Sequence, residues 1–449
     1  MNITVCMKIA NGETNPFDEA ALECALKTGG NITVISMCPP SALPVLQRMT
    51  RLGVRAVLIS DPVFAGSDTL ATAYILSRAI EKTAPDLILC GRQSIDGDTA
   101  QVGPCLATLL DIPVITNVME QPEITQTVKC QTRLGRETAE FPCLLTIERI
   151  HTLRFPRLGS RAGEVEIWDN GVIGADVSRC GLNGSPTKVL KTFENKKGQR
   201  KCKFISREEL LPLIERLRNE DRQAHEQTFS SENKLKEVWT IGKLNEADAI
   251  AENVVVIEEK DPKKIAALAK EKQPQVILWN ADLWGRKNAP ITAALLQTGL
   301  CADCTALETD GERLFMYRPA RSGSVTAKIE CRTNPQMATV RTETDSGDIV
   351  VSGGKGVKGD MERLRRFAEE IGAENGASRG LVDAGGALYS EQIGLTGKSV
   401  SPKIYIAVGI SGAVHHTCVI ENAGTVIAIN PDKNARIFEY ADYGIVGEF

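Results

Sequence analysis

The sequence predicts an α/β protein with two related, doubly wound parallel-sheet domains and a third strand–turn–helix domain at the C-terminal end. Three observations support this prediction. Short apolar, β-branched segments alternate with helical patterns, a stretch of the N-terminal half recurs in the C-terminal half, and glycine-rich turns follow the strands of the last hundred residues. Parallel sheets of this kind bind ligands where their strands end, so the predicted fold directs attention to the loops.

The composition is that of a globular protein, and it excludes several classes. Of the 449 residues, 42% are hydrophobic and 24% charged, and 53 basic against 57 acidic residues give a net charge of -4, which argues against a strongly basic nucleic-acid binder. The start of the chain, Met1 to Val5, lacks a basic region and predicts no signal peptide. The longest uncharged run, Ile404 to Ile420, is no plausible membrane span, and 13 scattered cysteines indicate a reducing, cytoplasmic setting.

The N-terminal part is predicted to alternate strands and helices. A helix is expected to begin at Asn15-Pro16-Phe17, since Asn15 can cap it and Pro16 suits its first position. A second helical pattern runs from about Thr69 to Lys82. The predicted strands are Ile3 to Ile9, Ile32 to Ile35, Ala56 to Ile59 and Leu87 to Cys90.

An internal repeat predicts two related domains packed about a pseudo-twofold axis. The strand Pro85 to Cys90 resembles Pro274 to Trp279. The helical segment 105–110 resembles 291–296, and the strand-like segment 141–146 resembles 334–339, in the same order along the chain. The two copies differ in the loop after the strand, because the acidic, glycine-containing loop of the first has no counterpart in 282–288.

Between the repeats, the composition predicts a linker. Residues 188–203 are basic, and residues 207–236 are densely charged and helix-prone, so we expect a solvated connector with one exposed helix. The predicted domains are therefore 1–186, a linker over 187–236, 237–345 and 346–449.

The loop after the strand ending at Cys90 is a candidate nucleotide site. Gly97 and Gly103 permit close backbone approach, Thr99 offers a hydroxyl, and Asp96 and Asp98 could hold ribose hydroxyls. The alternative is that these acids only cap the following helix.

The last hundred residues contain a second candidate site. A strand at 348–351 leads into the glycine-rich turn 352–357 and a helix over 361–371, which suits a diphosphate with Lys355 as the compensating charge, although the turn is not GxGxxG. Further glycine-rich segments at 376–380, 392–398 and 409–416 could contact a large flat ligand or serve only as connectors. Cys301 and Cys304 have CxxC spacing without a second pair, so we predict no metal site.

These motifs resemble the electron transfer flavoprotein family. The alpha-subunit-like segments are 352–356, 377–379, 392–394, 396–398, 405–413, 428–430 and 441–446, preceded by Thr305 and 335–341. Asn15-Pro16-Phe17 and the loop 96–104 are similar to the beta subunit. The resemblance implies a natural fusion of beta-like and alpha-like parts, two adenine nucleotide alpha hydrolase-like domains, and a Rossmann-like FAD-binding domain.

The resemblance also implies individual roles. Arg379 would lie near the flavin ring, Thr396 would offer its hydroxyl to flavin N5, and His416 would approach the O2 edge, so that all three tune the redox potential. The FAD residues implied in full are Lys355, Ser378, Arg379, Gln392, Ile393, Gly394, Leu395, Thr396, Ser411, Gly412, Ala413, Val414, His415, His416, Asn430 and Asp442. Departures from the family pattern are Lys355 in place of arginine, and Leu395 and His415 where glutamine is common.

A second nucleotide is implied for the beta-like part, AMP in many relatives and a second FAD that takes electrons from NADH in the electron-bifurcating subgroup. The form of the loop favours FAD. The residues implied are Cys6, Asn15, Phe17, Asp96, Gly97, Asp98, Thr99, Ala100, Gln101, Val102 and Gly103.

The implied partners are a flavoprotein dehydrogenase of the acyl-CoA dehydrogenase type and a donor or acceptor such as ferredoxin or a quinone reductase. The partner-recognition loop begins with Arg154-Phe155-Pro156-Arg157, but the stretch after Gly163 is short. Two other functions are open: an NADH-oxidising flavoenzyme, and a non-redox adenine-nucleotide-binding protein.

Overall fold

A computed structural model describes residues 1–194, 200–219, 233–320, 325–341, 347–357, 360–394, 397–420 and 422–449. The chain divides into two compact units. The first comprises Met1–Lys191, Phe229–Arg318 and Ala327–Val340, and the second comprises Thr192–Thr228, Pro319–Thr326 and Arg341–Phe449. Within the described residues, no helix is both long enough and apolar enough to cross a membrane.

The N-terminal sheet of the first unit is doubly wound. Seven of its strands are parallel, and an antiparallel extension adds three more at one edge. In spatial order the strands are Gly135–Ala139, Val128–Thr132, Val114–Val118, Cys143–Ile147, Leu87–Gly91, Asn2–Cys6, Asn31–Met37, Arg55–Ile59 and Val165–Trp168, with Glu123–Ile124 paired to Val128–Thr132. Apolar residues are buried on both faces, as the continuous apolar strands predicted.

A second parallel sheet in the first unit repeats the topology of the first. Its strands, in spatial order, are Ala251–Ile257, Leu235–Ile241, Val276–Asn280, Gln336–Val340 and Leu300–Cys304. The equivalent strands of the N-terminal sheet lie in the same spatial order, so the predicted internal repeat is confirmed. The two equivalent helices, Val102–Leu109 and Leu283–Leu296, also pack on each other. In this contact, Cys105 Sγ donates to the Pro290 carbonyl at 3.5 Å. Two copies related by a twofold axis contact each other through the same element of each copy, as these two helices do.

Local detail repeats as well. Thr146 Oγ1 accepts a hydrogen bond from the Asn117 N–H at 2.9 Å, and Thr339 Oγ1 accepts one from the Asp303 N–H at 2.7 Å. Asn117 and Asp303 both have left-handed backbones, with φ of 58° and 59°. The two copies therefore share a strand-end bulge that the sequence alignment alone did not indicate.

The remaining elements of the first unit cover these sheets. Its helices are Pro16–Thr28, Leu43–Thr50, Thr69–Ile80, Val102–Leu109, Asn170–Ile173, Gly181–Gly184, Pro262–Lys272 and Leu283–Leu296. A short hairpin joins Ile9–Ala10 to Glu13–Thr14, so the strand predicted to reach Ile9 ends at Cys6. A four-stranded sheet that lies largely in this unit has the order Thr187–Glu194, Val325–Cys331, Leu314–Ala320 and Ala306–Thr309.

The second unit is built on a seven-stranded parallel sheet. In spatial order its strands are Lys203–Phe204, Tyr443–Val446, Thr425–Asn430, Ile404–Val408, Ile349–Gly353, Glu374–Ser378 and Gln392–Ile393. Its helices are Leu210–Asn219, Met361–Glu370, Arg379–Val382 and Val414–Thr417. Leaving the edge strand aside, the chain order across the sheet is 3-2-1-4-5-6, the Rossmann arrangement.

The prediction of an exposed helix in a solvated connector is wrong. Helix Leu210–Asn219 buries Leu210, Leu213, Ile214 and Leu217 in the core of the second unit. The preceding segment adds Lys203–Phe204 to the edge of the sheet beside Tyr443–Val446. The charged residues mask an apolar stripe with helical spacing, and residues 200–219 are part of the C-terminal fold.

Candidate nucleotide sites

In the second unit, two glycine-rich loops meet at the point where the strand order reverses. The strands Ile349–Gly353 and Ile404–Val408 are neighbours, and the loops after them are joined by hydrogen bonds from the Gly354 N–H to the Val408 carbonyl at 2.8 Å and from the Gly356 N–H to the Gly409 carbonyl at 3.0 Å. A Cβ on Gly354 would lie 2.2 Å from the Gly409 oxygen. Only glycine permits this approach, and the crevice outside such a switch point is where doubly wound sheets bind ligands.

Two cationic residues follow adjacent strands at this edge. Lys355 is exposed, and its Cε lies 3.1 Å from the position a Cβ would take on Gly380. Arg379 begins the helix Arg379–Val382 and donates from Nε to Asp383 Oδ2 at 3.2 Å. Ser378 caps that helix without a side-chain hydrogen bond to it. The structure thus brings three predicted FAD residues to one edge of the sheet.

The turn after Gln392–Ile393 is tightly closed. The Lys398 N–H donates to the Gln392 carbonyl and the Gly397 N–H to the Gly394 carbonyl, both at 2.8 Å. A Cβ on Gly397 would lie 2.2 Å from the Gln392 oxygen. Leu395 and Thr396, which the sequence predicted as FAD residues, lie outside the described residues.

The loop 411–416 and Asn430 are braced together. Asn430 Nδ2 donates to the Ile410 carbonyl at 2.8 Å, and its Oδ1 accepts from the Asp432 N–H at 2.9 Å. The Ile437 N–H donates to the Ser411 carbonyl at 3.2 Å, and Gly412 has φ of 87°. Gly412, Ala413 and Val414 lie in this loop beside Ser411, with Ala413 capping Val414–Thr417.

His416 is buried and has both ring nitrogens paired with protein. Nδ1 lies 3.1 Å from the Ile393 carbonyl oxygen and Nε2 lies 2.8 Å from the Tyr405 hydroxyl. Burial lowers the pKa of His416 to about 4, so its ring is neutral at pH 7. The predicted approach of His416 to flavin O2 stays a prediction, and it requires one of these hydrogen bonds to open.

In the first unit, a buried carboxylate joins two strand ends. Asp18, near the start of helix Pro16–Thr28, accepts from the Lys8 N–H at 2.7 Å and from the Gly91 N–H at 2.8 Å. Burial raises its pKa to about 6 against the lowering effect of these hydrogen bonds. Asn15 donates from Nδ2 to the Gln93 carbonyl at 2.8 Å, and burial raises the pKa of the Cys6 thiol to about 12, so that thiol is not ionised.

The loop after Leu87–Gly91 is held by two side-chain contacts. Lys8 Nζ lies 2.7 Å from Asp96 Oδ2, which lowers the pKa of Asp96 although partial burial opposes it. Gln93 Nε2 donates to Asp98 Oδ1 at 3.0 Å. Asp98 and Ala100 have left-handed backbones, with φ of 52° and 56°. Two such non-glycine residues in one loop store strain, which is typical of ligand-binding loops.

The helix after this loop presents an uncapped N-terminus. Gln101 precedes Val102–Leu109 and makes no side-chain hydrogen bond to it; its Nε2 donates instead to the Leu300 carbonyl at 3.3 Å. A Cβ on Gly103 would lie 2.5 Å from Thr146 Cγ2, so the helix packs closely on the sheet. Free N–H groups here suit a phosphate. A cleft between the repeats begins at the loop and is lined by Asp98, Thr99, Gln101, Arg286, Pro290, Ala302, Asp303 and Thr339.

Comparison with known proteins identifies the family. Residues 3–171 and 251–356 match the electron transfer flavoprotein domain, and residues 343–421 match the electron transfer flavoprotein FAD-binding domain. The chain belongs to the electron transfer flavoprotein family.

Separate subunits of relatives match parts of the one chain. The alpha subunit of Thermoanaerobacterium thermosaccharolyticum electron transfer flavoprotein is 40% identical over 233 residues, covering 41% of this chain and 71% of the relative. The beta subunit from the same organism is 42% identical over 193 residues, covering 40% and 74%. Protein FixA of Azotobacter vinelandii is 41% identical over 214 residues, covering 42% and 76%. The chain is therefore a flavoprotein in which beta-like and alpha-like parts are fused.

The crevice of the flavoprotein's C-terminal domain fits FAD. Glycines allow the two loops to pack directly on each other at the switch point, the Ser378 hydroxyl lies at the same edge, and Lys355 and Arg379 supply positive charge for a pyrophosphate or a reduced flavin. These groups come from strands 1, 2 and 4 of the sheet, which only the fold brings together.

One predicted FAD residue lies elsewhere. Asp442 precedes Tyr443–Val446, and its Oδ2 accepts from the Val426 N–H at 2.8 Å and pairs with Arg200. This is the amino end of the sheet, about 16 Å from the glycine-rich loops at about 3.3 Å per residue. The structure does not bring Asp442 together with the other predicted FAD residues, and its carboxylate ties Arg200 to the sheet.

Some residues at the two edges were missed by sequence reasoning. Glu448 follows Tyr443–Val446, and the Gly447 N–H beside it donates to the Asn430 carbonyl at 3.1 Å, so Glu448 lies at the edge where Asp442 was expected. In the first unit, Arg318 donates to the Gly97 carbonyl at 2.8 Å. The sequence could have revealed Glu448, because it closely follows a recognisable strand. It could not have revealed Arg318, because no local pattern links Arg318 to the distant loop at Gly97.

A buried ion cluster also supports the first site. Arg133 lies 2.8 Å from Glu148, Arg92 lies 3.6 Å from it, and Arg92 is 5.5 Å from the centre of the Phe17 ring. Phe17 was predicted as a nucleotide contact, and here it supports Arg92 at a strand end. No group of three or more potential metal ligands occurs among the described residues, and Cys301 and Cys304 are buried free thiols.

Proposed function

We propose that this flavoprotein carries electrons between flavoprotein dehydrogenases and a downstream acceptor, through FAD held in the C-terminal crevice. The observation that carries the proposal is the contact between the glycine loops at Gly354 and Gly409, flanked by Lys355 and Arg379. Bound FAD would supply the ability to accept and release electrons one at a time.

The protein's contribution is charge and position. Arg379 and Lys355 place positive charge at the ends of adjacent strands, where it favours a flavin that has gained an electron. A hydrogen bond to a charged group is worth about 1.5–3 kcal/mol, which corresponds to a shift of about 60–130 mV for one electron. That range is large enough to decide whether a flavin gives up its electrons singly.

We further propose that the N-terminal site holds a second FAD rather than AMP. The strained loop and the uncapped helix support a nucleotide at this site, and the form of the loop sequence 96–104 is what favours FAD over AMP. With FAD at this site, the protein would take electrons from NADH, because the loop 96–104 resembles that of the subgroup that does so.

Partner docking is proposed for the loop that contains Phe155 and Leu158. Both side chains are fully exposed; Arg157 lies beside them, and Arg154 precedes Phe155 with its guanidinium paired to Glu23 at 2.7 Å. An apolar group on an exposed loop with basic neighbours suits an acidic, apolar docking site on an acyl-CoA dehydrogenase-like partner, with ferredoxin or a quinone reductase as the other partner.

Nucleotide release tests the proposal. Protein loaded with FAD is denatured, and the released nucleotides are quantified by chromatography per mole of chain. Two FAD per chain support both sites as proposed. One FAD and one AMP would refute the second FAD alone, and AMP without any FAD would refute electron transfer in favour of a nucleotide-binding role.

The NADH step needs a separate measurement. NADH is added without oxygen to the FAD-loaded protein alone, and the flavin absorbance is followed. Reduction that then passes to an acyl-CoA dehydrogenase supports the carrier. Rapid turnover of NADH after oxygen is readmitted, with oxygen as the electron acceptor and no partner protein, would support the NADH-oxidising enzyme instead, and no flavin reduction would refute the NADH role.

A further inference from the structure

The docking loop, residues 154–163, has a defined shape at its tip. The Ser160 N–H donates to the Arg157 carbonyl at 3.0 Å, and the Ser160 hydroxyl donates to the same oxygen at 2.8 Å. These bonds close a β-turn in which Gly159 has φ of 82°, a value that glycine adopts without strain. Leu158, the second residue of that turn, is fully exposed, so the turn presents its side chain at the tip.

The start of the docking loop is tied to a buried carboxylate. Glu23 lies on helix Pro16–Thr28, and it accepts from the Arg154 N–H at 3.0 Å, from Arg154 Nε at 3.0 Å and from Arg154 Nη2 at 2.7 Å. Among the residues that the structure describes, no other group donates to this carboxylate. A buried carboxylate without a partner is costly, so Arg154 is held firmly at the point where the loop begins.

The end of the docking loop is tied to a second helix. The Gly163 N–H donates to Oγ1 of Thr50, the last residue of helix Leu43–Thr50, at 2.7 Å. The next residue, Arg51, donates from Nε to the Ser160 carbonyl at 3.2 Å. Both helices pack on strands of the N-terminal sheet, so one framework holds the loop at its two ends.

We propose that Glu23 and Thr50 are positioning residues, which hold the docking loop in the shape that presents Leu158 before the dehydrogenase binds. The inference rests on the proposed docking of an acyl-CoA dehydrogenase at this loop, but the hydrogen bonds that hold the loop do not. A loop that is already ordered loses less conformational entropy on binding, so its anchors tighten the complex without touching the partner. Glu23 and Thr50 are both buried, and they act through the loop.

Conservative substitutions remove the anchors one at a time. Glu23→Gln keeps the size of the side chain and removes the charge that pairs with the guanidinium. Thr50→Val keeps the shape and removes the acceptor of the Gly163 N–H, whereas Thr50→Ser retains that acceptor. Asp310→Asn is a matched control, because Asp310 accepts from the N–H, Nε and Nη2 of Arg313 at 2.8, 3.0 and 2.8 Å, on an exposed turn of another sheet.

Electron uptake from a partner measures the effect on docking. A purified acyl-CoA dehydrogenase with its acyl-CoA reduces the FAD-loaded flavoprotein without oxygen, and the rate is followed at increasing flavoprotein concentration. We expect Glu23→Gln and Thr50→Val to raise the KM for the flavoprotein about two- to tenfold, the range for ordering one further side chain, with kcat unchanged. Thr50→Ser and Asp310→Asn should keep the wild-type KM. A wild-type KM in both Glu23→Gln and Thr50→Val would overturn the inference, as would an equal rise in Asp310→Asn.

Removal of the docking side chains shows whether Glu23 acts through the loop. In a protein that carries Phe155→Ala and Leu158→Ala, adding Glu23→Gln should raise the KM by less than about twofold, because the loop no longer presents the groups that bind. A full additional rise would overturn the inference, since Glu23 would then act through another part of the protein.

Hydrogen exchange tests the anchors without a partner. In the FAD-loaded protein, Glu23→Gln should speed exchange of the Arg154 amide and Thr50→Val that of the Gly163 amide, each about two- to tenfold, the range for one neutral hydrogen bond. Asp310→Asn should change neither amide. Wild-type amides that exchange as fast as in an unfolded peptide would overturn the inference. Protected amides in a flavoprotein that no acyl-CoA dehydrogenase reduces would instead refute the proposed partner.

Discussion

The buried carboxylate of Asp18 makes the stability of the first unit depend on pH in an unusual direction. Its pKa rises from the ordinary 3.8 to about 6, because burial outweighs the two N–H donors from Lys8 and Gly91. At about 1.36 kcal/mol per pKa unit, the shift corresponds to about 3 kcal/mol. A carboxyl group whose pKa is raised on folding stabilises the protein fully below its unfolded pKa, and this stabilisation is lost as the pH rises through the folded pKa.

The experiment therefore varies the pH and compares the wild type with Asp18→Asn, whose side chain cannot titrate. Between pH 4 and pH 7 the wild type should lose about 2.4 kcal/mol of unfolding free energy relative to Asp18→Asn, because part of the full shift has already been lost at pH 4. Taking the difference between the two proteins removes the contributions of the other titrating groups. All four tryptophans of the chain lie in the first unit, so urea unfolding followed by tryptophan fluorescence reports on that unit.

Asp282→Asn is a matched control, because this exposed aspartate accepts a single N–H, from Gly285 at 2.7 Å, which asparagine can also accept. At pH 7 it should change the unfolding free energy by no more than about 0.5 kcal/mol. The reasoning is refuted if the unfolding free energy of the wild type, relative to Asp18→Asn, stays constant or grows from pH 4 to pH 7. The effect of the hydrogen bonds on the pKa of Asp18 would then be larger than the effect of burial.

Three further outcomes concern the second unit. Gly354→Ala should abolish FAD binding, because the new Cβ would meet a carbonyl oxygen at 2.2 Å, whereas Gly447→Ala, with open space around it, should bind FAD normally by titration. Arg379→Ala should lower the flavin's one-electron midpoint potential by about 60–130 mV in spectroelectrochemistry, and an unchanged potential would exclude its assigned role. Leu217→Ala should destabilise the unit by about 2–5 kcal/mol, seen as a lower temperature of FAD release, while the half-exposed Leu211→Ala should leave that temperature nearly unchanged.

Local patterns predicted most of the fold because they carried enough information by themselves. The β-branched strands and the repeated segments gave the sheets, and the order of glycine-rich turns gave the Rossmann-like domain. The apolar residues of helix Leu210–Asn219 stand at helical spacing, so the sequence contained the pattern of a buried stripe. The many charged residues of the segment nevertheless led to the prediction of a solvent-exposed helix.

The site was less predictable, because contacts between distant residues leave no local pattern. The motif containing Asp442 is recognisable, yet its sequence does not say that Asp442 stands before its strand, at the wrong edge of a parallel sheet. The commitment of both nitrogens of His416 to Tyr405 and Ile393 likewise depends on three elements meeting in the folded domain.

The two repeats of the first unit differ in how well they suit the proposed second nucleotide. Their strands, bulges and threonine contacts match, so the framework does not distinguish them. The difference lies at the equivalent helices: Leu283–Leu296 is capped by the Asp282 carboxylate on the Gly285 N–H, whereas Val102–Leu109 has no side-chain cap. A carboxylate at a helix N-terminus occupies an N–H group and repels an anion, so a phosphate is favoured at the helix that lacks one.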